Sequence, residues 1–173
     1  MPPLDEVLAT FPDRRLLIDI KSNDPADGEK LADRLLRLPS EGLPQIMVYG
    51  GDRPVDAVRA RLRHLKTMWR ASVRRCLINY IAIGWTGYMP AACRGSLLLV
   101  PINVAPWLWG WPNRFLVRMA AAGTEVFAAG PWDGGFSRGI DDAETFARLP
   151  RGYAGGIWTN RIDRIAPLTR SGP

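Results

Sequence analysis

The 173 residues, 47% hydrophobic and 23% charged, have the composition of an ordinary globular protein and are enough for one domain with a sizeable core. The net charge of +6 and pI near 9.9 come mostly from arginines spread over several segments. Such a surface attracts phosphate compounds, nucleic acid or acidic lipid without choosing among them.

The chain opens on Met-Pro-Pro-Leu-Asp-Glu, which is no signal peptide. No apolar run reaches the roughly 18 residues needed to cross a bilayer, since Arg94 and Gly95 precede the run from Ser96 and Pro101 interrupts it. The expected location is therefore cytoplasmic. Leu4 to Thr10 reads as a short helix stopped by Phe11-Pro12-Asp13, and Leu16 to Lys21 as an apolar strand. Asp27 to Leu38 carries leucines at helical spacing, with Pro39 as its stop. Gln45 to Gly50 follows as a buried parallel strand, Val55 to Leu65 as a basic helix, Leu65 to Arg70 as a brief strand and Ser72 to Ile83 as a helix.

Ser96 to Asn103 is the clearest strand in the sequence. Pro112 to Ala122 is then a helix capped by Gly123, Glu125 to Gly130 a strand, Asp141 to Leu149 a helix and Gly156 to Asn160 a last strand. Strand and helix alternate strictly, six strands in all, which argues for a parallel α/β fold in a single domain over residues 1–173. Gly50-Gly51 and Gly134-Gly135 lack the context of a phosphate-binding glycine loop and read as turns. Cys76 and Cys93 have neither CxxC spacing nor histidine companions, so they are expected as half-buried free thiols.

The strand Leu16 to Lys21 carries the sharpest chemical pattern. A period of two places Asp19 and Lys21 on one face. A carboxylate can hold a hard cation and a lysine a phosphate, so the pair suits phosphate-ester chemistry; an ordinary salt-bridged strand end is the other reading. The lone histidine, His64, lies in an arginine-rich stretch and reads as a surface residue. Arg59, Arg61, Arg63, Lys66 and Arg70 read as a solvated basic face, with no nucleic-acid module around them.

Pro3-Leu4-Asp5-Glu6-Val7-Leu8, Phe11-Pro12 and then Leu-Ile-Asp-Ile-Lys resemble the glycerophosphodiester phosphodiesterase family. So do Gly155-Gly156-Ile157-Trp158-Thr159-Asn160-Arg161 and the run Phe115 to Val126, while Gly84 to Tyr88 and the tryptophan-rich Ala105 to Pro112 are similar to a bacterial subgroup. The resemblance covers essentially the whole chain and implies an incomplete TIM-type (β/α) barrel, about six of eight strands, with catalytic groups at strand ends. It implies hydrolysis of a glycerophosphodiester to glycerol 3-phosphate and an alcohol, assisted by Mg2+ or Ca2+.

On that resemblance Asp19 is a metal-binding acid, although the family more often has glutamate there, and Lys21 is the phosphate-facing lysine. Arg70, Asn103 and Trp107, at or just beyond strand ends, are added as substrate-binding residues. The family's two catalytic histidines match nothing here, because they belong to a segment upstream of the proline-leucine helix; no catalytic residue is therefore assigned. An incomplete barrel would leave two strand edges for a partner or second copy to cover. The competing expectation is a catalytically inactive remnant that binds an anion or a protein.

Overall fold

The computed structural model describes residues 3–38, 43–134 and 138–171. The chain divides into two compact units, Met1–Arg70 and Ala71–Pro173.

In the first unit, helix α1 (Leu4–Thr10) is closed by Phe11, whose N–H donates to the Val7 carbonyl. Strand β1 (Leu16–Ile20) leads to helix α2 (Pro25–Leu35). Asp24 caps this helix by accepting from the Ala26 N–H at 2.9 Å, and Pro25 occupies the first turn, where its missing N–H leaves no bond unmade. The expected stop at Pro39 lies outside the described residues. Strand β2 (Ile46–Gly50), helix α3 (Asp52–Arg61) and strand β3 (Lys66–Trp69) complete a parallel sheet in the order β1-β2-β3.

One face of that sheet presents Ile20, Ile46 and Val48 to the apolar sides of α2 and α3, burying Ala32, Leu35, Val55 and Val58. The two helices meet where Gly28 lies against Pro54. A Cβ on Gly28 would stand 2.1 Å from the Pro54 carbonyl oxygen, so this contact requires glycine. At the edge of β3, the Arg59 guanidinium lies 4.7 Å over the Trp69 ring and ties the end of α3 to the strand.

The second unit contains helix α4 (Arg70–Ile83) from its second residue on, strand β4 (Leu97–Pro101), helix α5 (Asn113–Ala121), strand β5 (Glu125–Ala129), helix α6 (Ala143–Ala147), the short strand β6 (Gly156–Ile157) and helix α7 (Ile162–Ser171). Its parallel sheet has the order β4-β5-β6. Tyr80 of α4 and Phe115 and Met119 of α5 fill one core cluster with Leu98 and Val100, and Ile102, Ala128, Phe146 and Ile165 form a second. Helix α5 ends as expected on Gly123, whose φ of +73° is the left-handed conformation that closes a helix.

Two expectations are corrected here. The six strands do not form an incomplete TIM-type barrel. They form two separate three-stranded sheets, with β3 paired to β2 and β4 paired to β5. Alternation of strand and helix is a local property of every parallel α/β arrangement; closure depends on which strands pair, which the local pattern does not encode. Nor are Cys76 and Cys93 half-buried free thiols. They are 1% and 0% exposed and joined as a disulfide, because α4 and the turn Ala91–Cys93 bring their Cα atoms to 4.9 Å.

The closing segment is held by Asp141. Its carboxylate accepts from the Asn160 N–H at 2.7 Å, from the Asn160 amide at 3.1 Å and from the Thr159 hydroxyl at 3.0 Å. These bonds turn the chain after Ile157, which is why β6 ends before the expected Asn160. Burial alone would raise the Asp141 pKa; the bonds from Asn160 and Thr159, with the Arg161 charge, outweigh it and hold the carboxyl below its usual 3.8. A lowered folded pKa gives stability that is present above the ordinary value and lost as pH falls through the lower one. Asp141→Ala should cost about 1 kcal/mol at neutral pH, the net worth of its hydrogen bonds, since the exposed Asn160 donors can turn to water. The difference from wild type should shrink in urea melts taken below about pH 3.8.

Candidate functional site

At the carboxyl end of β1 the apolar strand turns polar. Asp19 and Lys21 lie on the face opposite Ile18 and Ile20, which pack toward the helices. The Lys21 ammonium forms an ion pair with Asp19 Oδ2, and their side chains are 87% and 19% exposed. The carboxylate is thus a partly sheltered anchor that holds the exposed lysine side chain by its ammonium. Tyr49 stands beside Asp19 in the register of β1 and β2. Its phenol is pushed up to about 12, by burial first and then by its hydrogen bond and proximity to Asp19, so the hydroxyl stays protonated and donates to the carboxylate.

The neighbouring backbone is packed too closely to move aside. A Cβ on Gly50, whose φ is +152°, would lie 2.4 Å from the Ile20 carbonyl oxygen, and one on Gly51 would lie 2.6 Å from that of Ser22. Instead of the expected turn, Gly50 ends β2 and Gly51 caps α3, and the pair lets β2 and the start of α3 press against the loop after β1. Asn23 Oδ1 accepts from the Arg53 N–H at 3.3 Å, and the Ser22 hydroxyl donates to Asp27 at 2.6 Å. Arg70 directly follows β3. The last paired residues of the two outer strands, Ile20 and Trp69, are level across Gly50, about two strand spacings or 10 Å apart, and Lys21 and Arg70 each come next in the chain.

The other two candidates lie in the second unit. Asn103 follows β4 and uses its amide in full: Nδ2 donates to the Trp132 carbonyl at 2.8 Å and Oδ1 accepts from the Trp132 N–H at 2.9 Å. It holds the loop after β5 to the loop after β4. Trp107, 71% exposed, closes the short helical turn Ala105–Trp107. With Trp109, Trp111, Arg148 and Leu149 it lines an open apolar cavity of about 690 Å³. Thus Asp19, Lys21 and Arg70 lie at the carboxyl end of the strands of the first unit, and Asn103 and Trp107 belong to the second.

The donor set does not fit the divalent cation that the resemblance implies. Lys21 occupies one oxygen of Asp19 and Tyr49 donates to the same carboxylate, while the oxygens of nearby Asp27 are taken by Ser22 and Lys30. Among the described residues no group of three or more histidine, cysteine or acidic side chains could hold a metal ion. His64 is exposed, on the turn between α3 and β3 and past the end of the helix on which it was expected.

Sequence reasoning missed Tyr49, Arg148 and Asp141. Only the first had a local signal, a polar hydroxyl at the end of an apolar strand, and its partner is set by register. No family model, curated protein or solved structure matches this chain.

Proposed function

We propose that this chain binds the phosphate of a glycerophosphodiester or glycerol phosphate through Lys21, with Arg70 as a second cationic group, and does not hydrolyse it alone. The observation that carries this reading is the Asp19–Lys21 pair at the end of β1, in which a lysine side chain 87% exposed brings its ammonium onto a sheltered carboxylate. The ligand class comes from the family resemblance of the surrounding sequence. Hydrolysis at phosphorus needs a group to take a proton and one to give it. The single histidine of the sequence cannot supply both roles, and the Asp19 carboxylate is committed to Lys21 and Tyr49.

Magnitudes set what binding should look like. A unit charge about 4 Å from another is worth about 1 kcal/mol in water, so Lys21→Met should weaken glycerol phosphate binding about fivefold in titration calorimetry at low salt. Added Mg2+ should leave the affinity unchanged. Turnover of a glycerophosphodiester at enzyme-like rates, with or without metal, would overturn the reading.

Among the described residues no helix is long and apolar enough to cross a membrane. Disulfides persist where conditions are oxidising, so the Cys76–Cys93 bond favours a compartment more oxidising than the cytoplasm expected from the sequence.

A further inference from the structure

We propose that the second unit docks peripherally on an anionic phospholipid surface, through the exposed Arg74 and Ile78 and the half-buried Ile81 along α4, the exposed Trp85 just after it and the Trp109 ring beside it. Arg74, Ile78 and Ile81 fall at i, i+4 and i+7 on one side of the helix, and Trp85 follows in the turn Gly84–Thr86 after Ile83, whose φ of −127° ends the helical run. The opposite side buries Cys76, Leu77 and Tyr80. Ile78 is 53% exposed, Trp85 65% and Trp109 48%, a run of large apolar side chains of the kind that marks an interaction surface.

The aromatic end of this stripe is pre-organised. Trp109 Nε1 donates to the Ile81 carbonyl at 2.8 Å, and the Tyr80 hydroxyl donates to the Trp109 carbonyl at 3.1 Å. The Arg118 guanidinium donates to the Gly84 carbonyl at 2.8 Å and to the Tyr80 hydroxyl at 3.2 Å. With its N–H satisfied within the protein, Trp109 can place its ring among acyl chains without stranding a donor. Trp85 emerges from the turn whose backbone Arg118 holds.

Charge calls for an anionic partner. Residues 71–124 contain Arg74, Arg75, Arg94, Arg114 and Arg118, and no aspartate, glutamate or lysine. A 54-residue span that surrounds exposed indoles with guanidinium groups and lacks acidic residues matches the lipid interface, where Trp sits at headgroup depth and Arg pairs with anionic headgroups. The aliphatic Ile78 and Ile81 distinguish this surface from a nucleic-acid site, which would stack bases on aromatics and gain nothing from isoleucines. The depth is that of side chains only, as no described helix can span a bilayer. This surface is separate from the Lys21 site, and its test is independent of that site.

The test is co-sedimentation of the full chain with vesicles of phosphatidylcholine, with and without phosphatidylglycerol. Wild type should bind the phosphatidylglycerol vesicles at least about tenfold more tightly than pure phosphatidylcholine. Its tryptophan emission should shift to the blue and be quenched by brominated acyl chains. Ile78→Ser with Trp85→Ser should lose about tenfold in binding with unchanged circular dichroism, and Arg74→Glu should weaken binding to phosphatidylglycerol vesicles about tenfold, with the blue shift recovered at higher lipid concentration. Failure of wild type to bind phosphatidylglycerol vesicles, or equal binding by the Ile78→Ser/Trp85→Ser variant, would overturn the proposal. Tighter binding to duplex DNA than to those vesicles, insensitive to Ile78→Ser, would reassign the surface to nucleic acid and overturn it as well.

Discussion

Phe115→Ala is expected to destabilise the protein by about 4 kcal/mol, read as a shift of the urea midpoint followed by tryptophan fluorescence. Phe115 is fully buried, and its ring meets Tyr80 edge-on at 5.1 Å and 82° and Trp111 at 5.6 Å and 53°. Truncation removes the transfer energy of a whole ring and leaves a cavity under α4 and α5. Two aromatic contacts, each worth about 0.5–1.5 kcal/mol beyond area, go with it. The surroundings cannot collapse easily, because Tyr80 is tied by its hydroxyl to the Trp109 carbonyl and to Arg118. Phe115→Leu, which keeps most of the volume, should cost about half as much. A loss below about 1 kcal/mol for the alanine variant would mean that this cluster is not the core of the second unit.

Removing the Cys76–Cys93 bond should cost about 3 kcal/mol, as expected from loop closure when cysteines 17 apart in sequence are released in the unfolded chain. Cys76→Ala with Cys93→Ala is the cleaner variant, because reduction leaves two buried thiols in place. The turn that carries Cys93 has a second tie, since the buried Thr124 hydroxyl donates to the Cys93 carbonyl at 2.7 Å. The double variant should therefore fold and unfold at lower urea, and wild type in reductant should approach it. Equal midpoints for wild type with and without reductant would show that the two cysteines are not bonded. Cys76 and Phe115 share one cluster, so the two losses should not add.

The order of strands and helices was legible because it is written in local periodicity. Leu4–Thr10 was placed to the residue, and Leu97–Pro101 and Asn113–Ala121 to within a few residues. Helix α3 begins at Asp52, not Val55, because a proline in the first turn is compatible with a helix and does not precede one. It stops at Arg61 because Leu62 and Leu65, which continue the apolar spacing, bury themselves beyond the helix end. Helix α7 had no sequence expectation, since Pro167 within it argues locally against a helix.

What escaped the sequence is contact between distant residues. Sheet closure, the Cys76–Cys93 pairing, the Asp141 anchor of Asn160 and the Tyr49 hydroxyl on Asp19 all depend on which segments meet. The Asp19–Lys21 pair was visible because a strand's period of two puts both groups on one face. That the carboxylate would serve the lysine and a tyrosine was set by register. Asn103 was rightly placed at a strand end, but the sequence could not show that the Trp132 backbone uses both ends of its amide.

The central claim is that Lys21 is the charge that faces the anion and that Asp19 serves no metal, and Asp19→Asn tests it most directly. Titration calorimetry with glycerol phosphate, at low salt and with and without Mg2+, compares the variant with wild type. If Lys21 is the phosphate-facing charge, losing the neighbouring carboxylate removes a repulsion of about 1 kcal/mol, and binding tightens about fivefold with no dependence on the metal. Binding that requires Mg2+ in wild type and is abolished in Asp19→Asn would contradict the account.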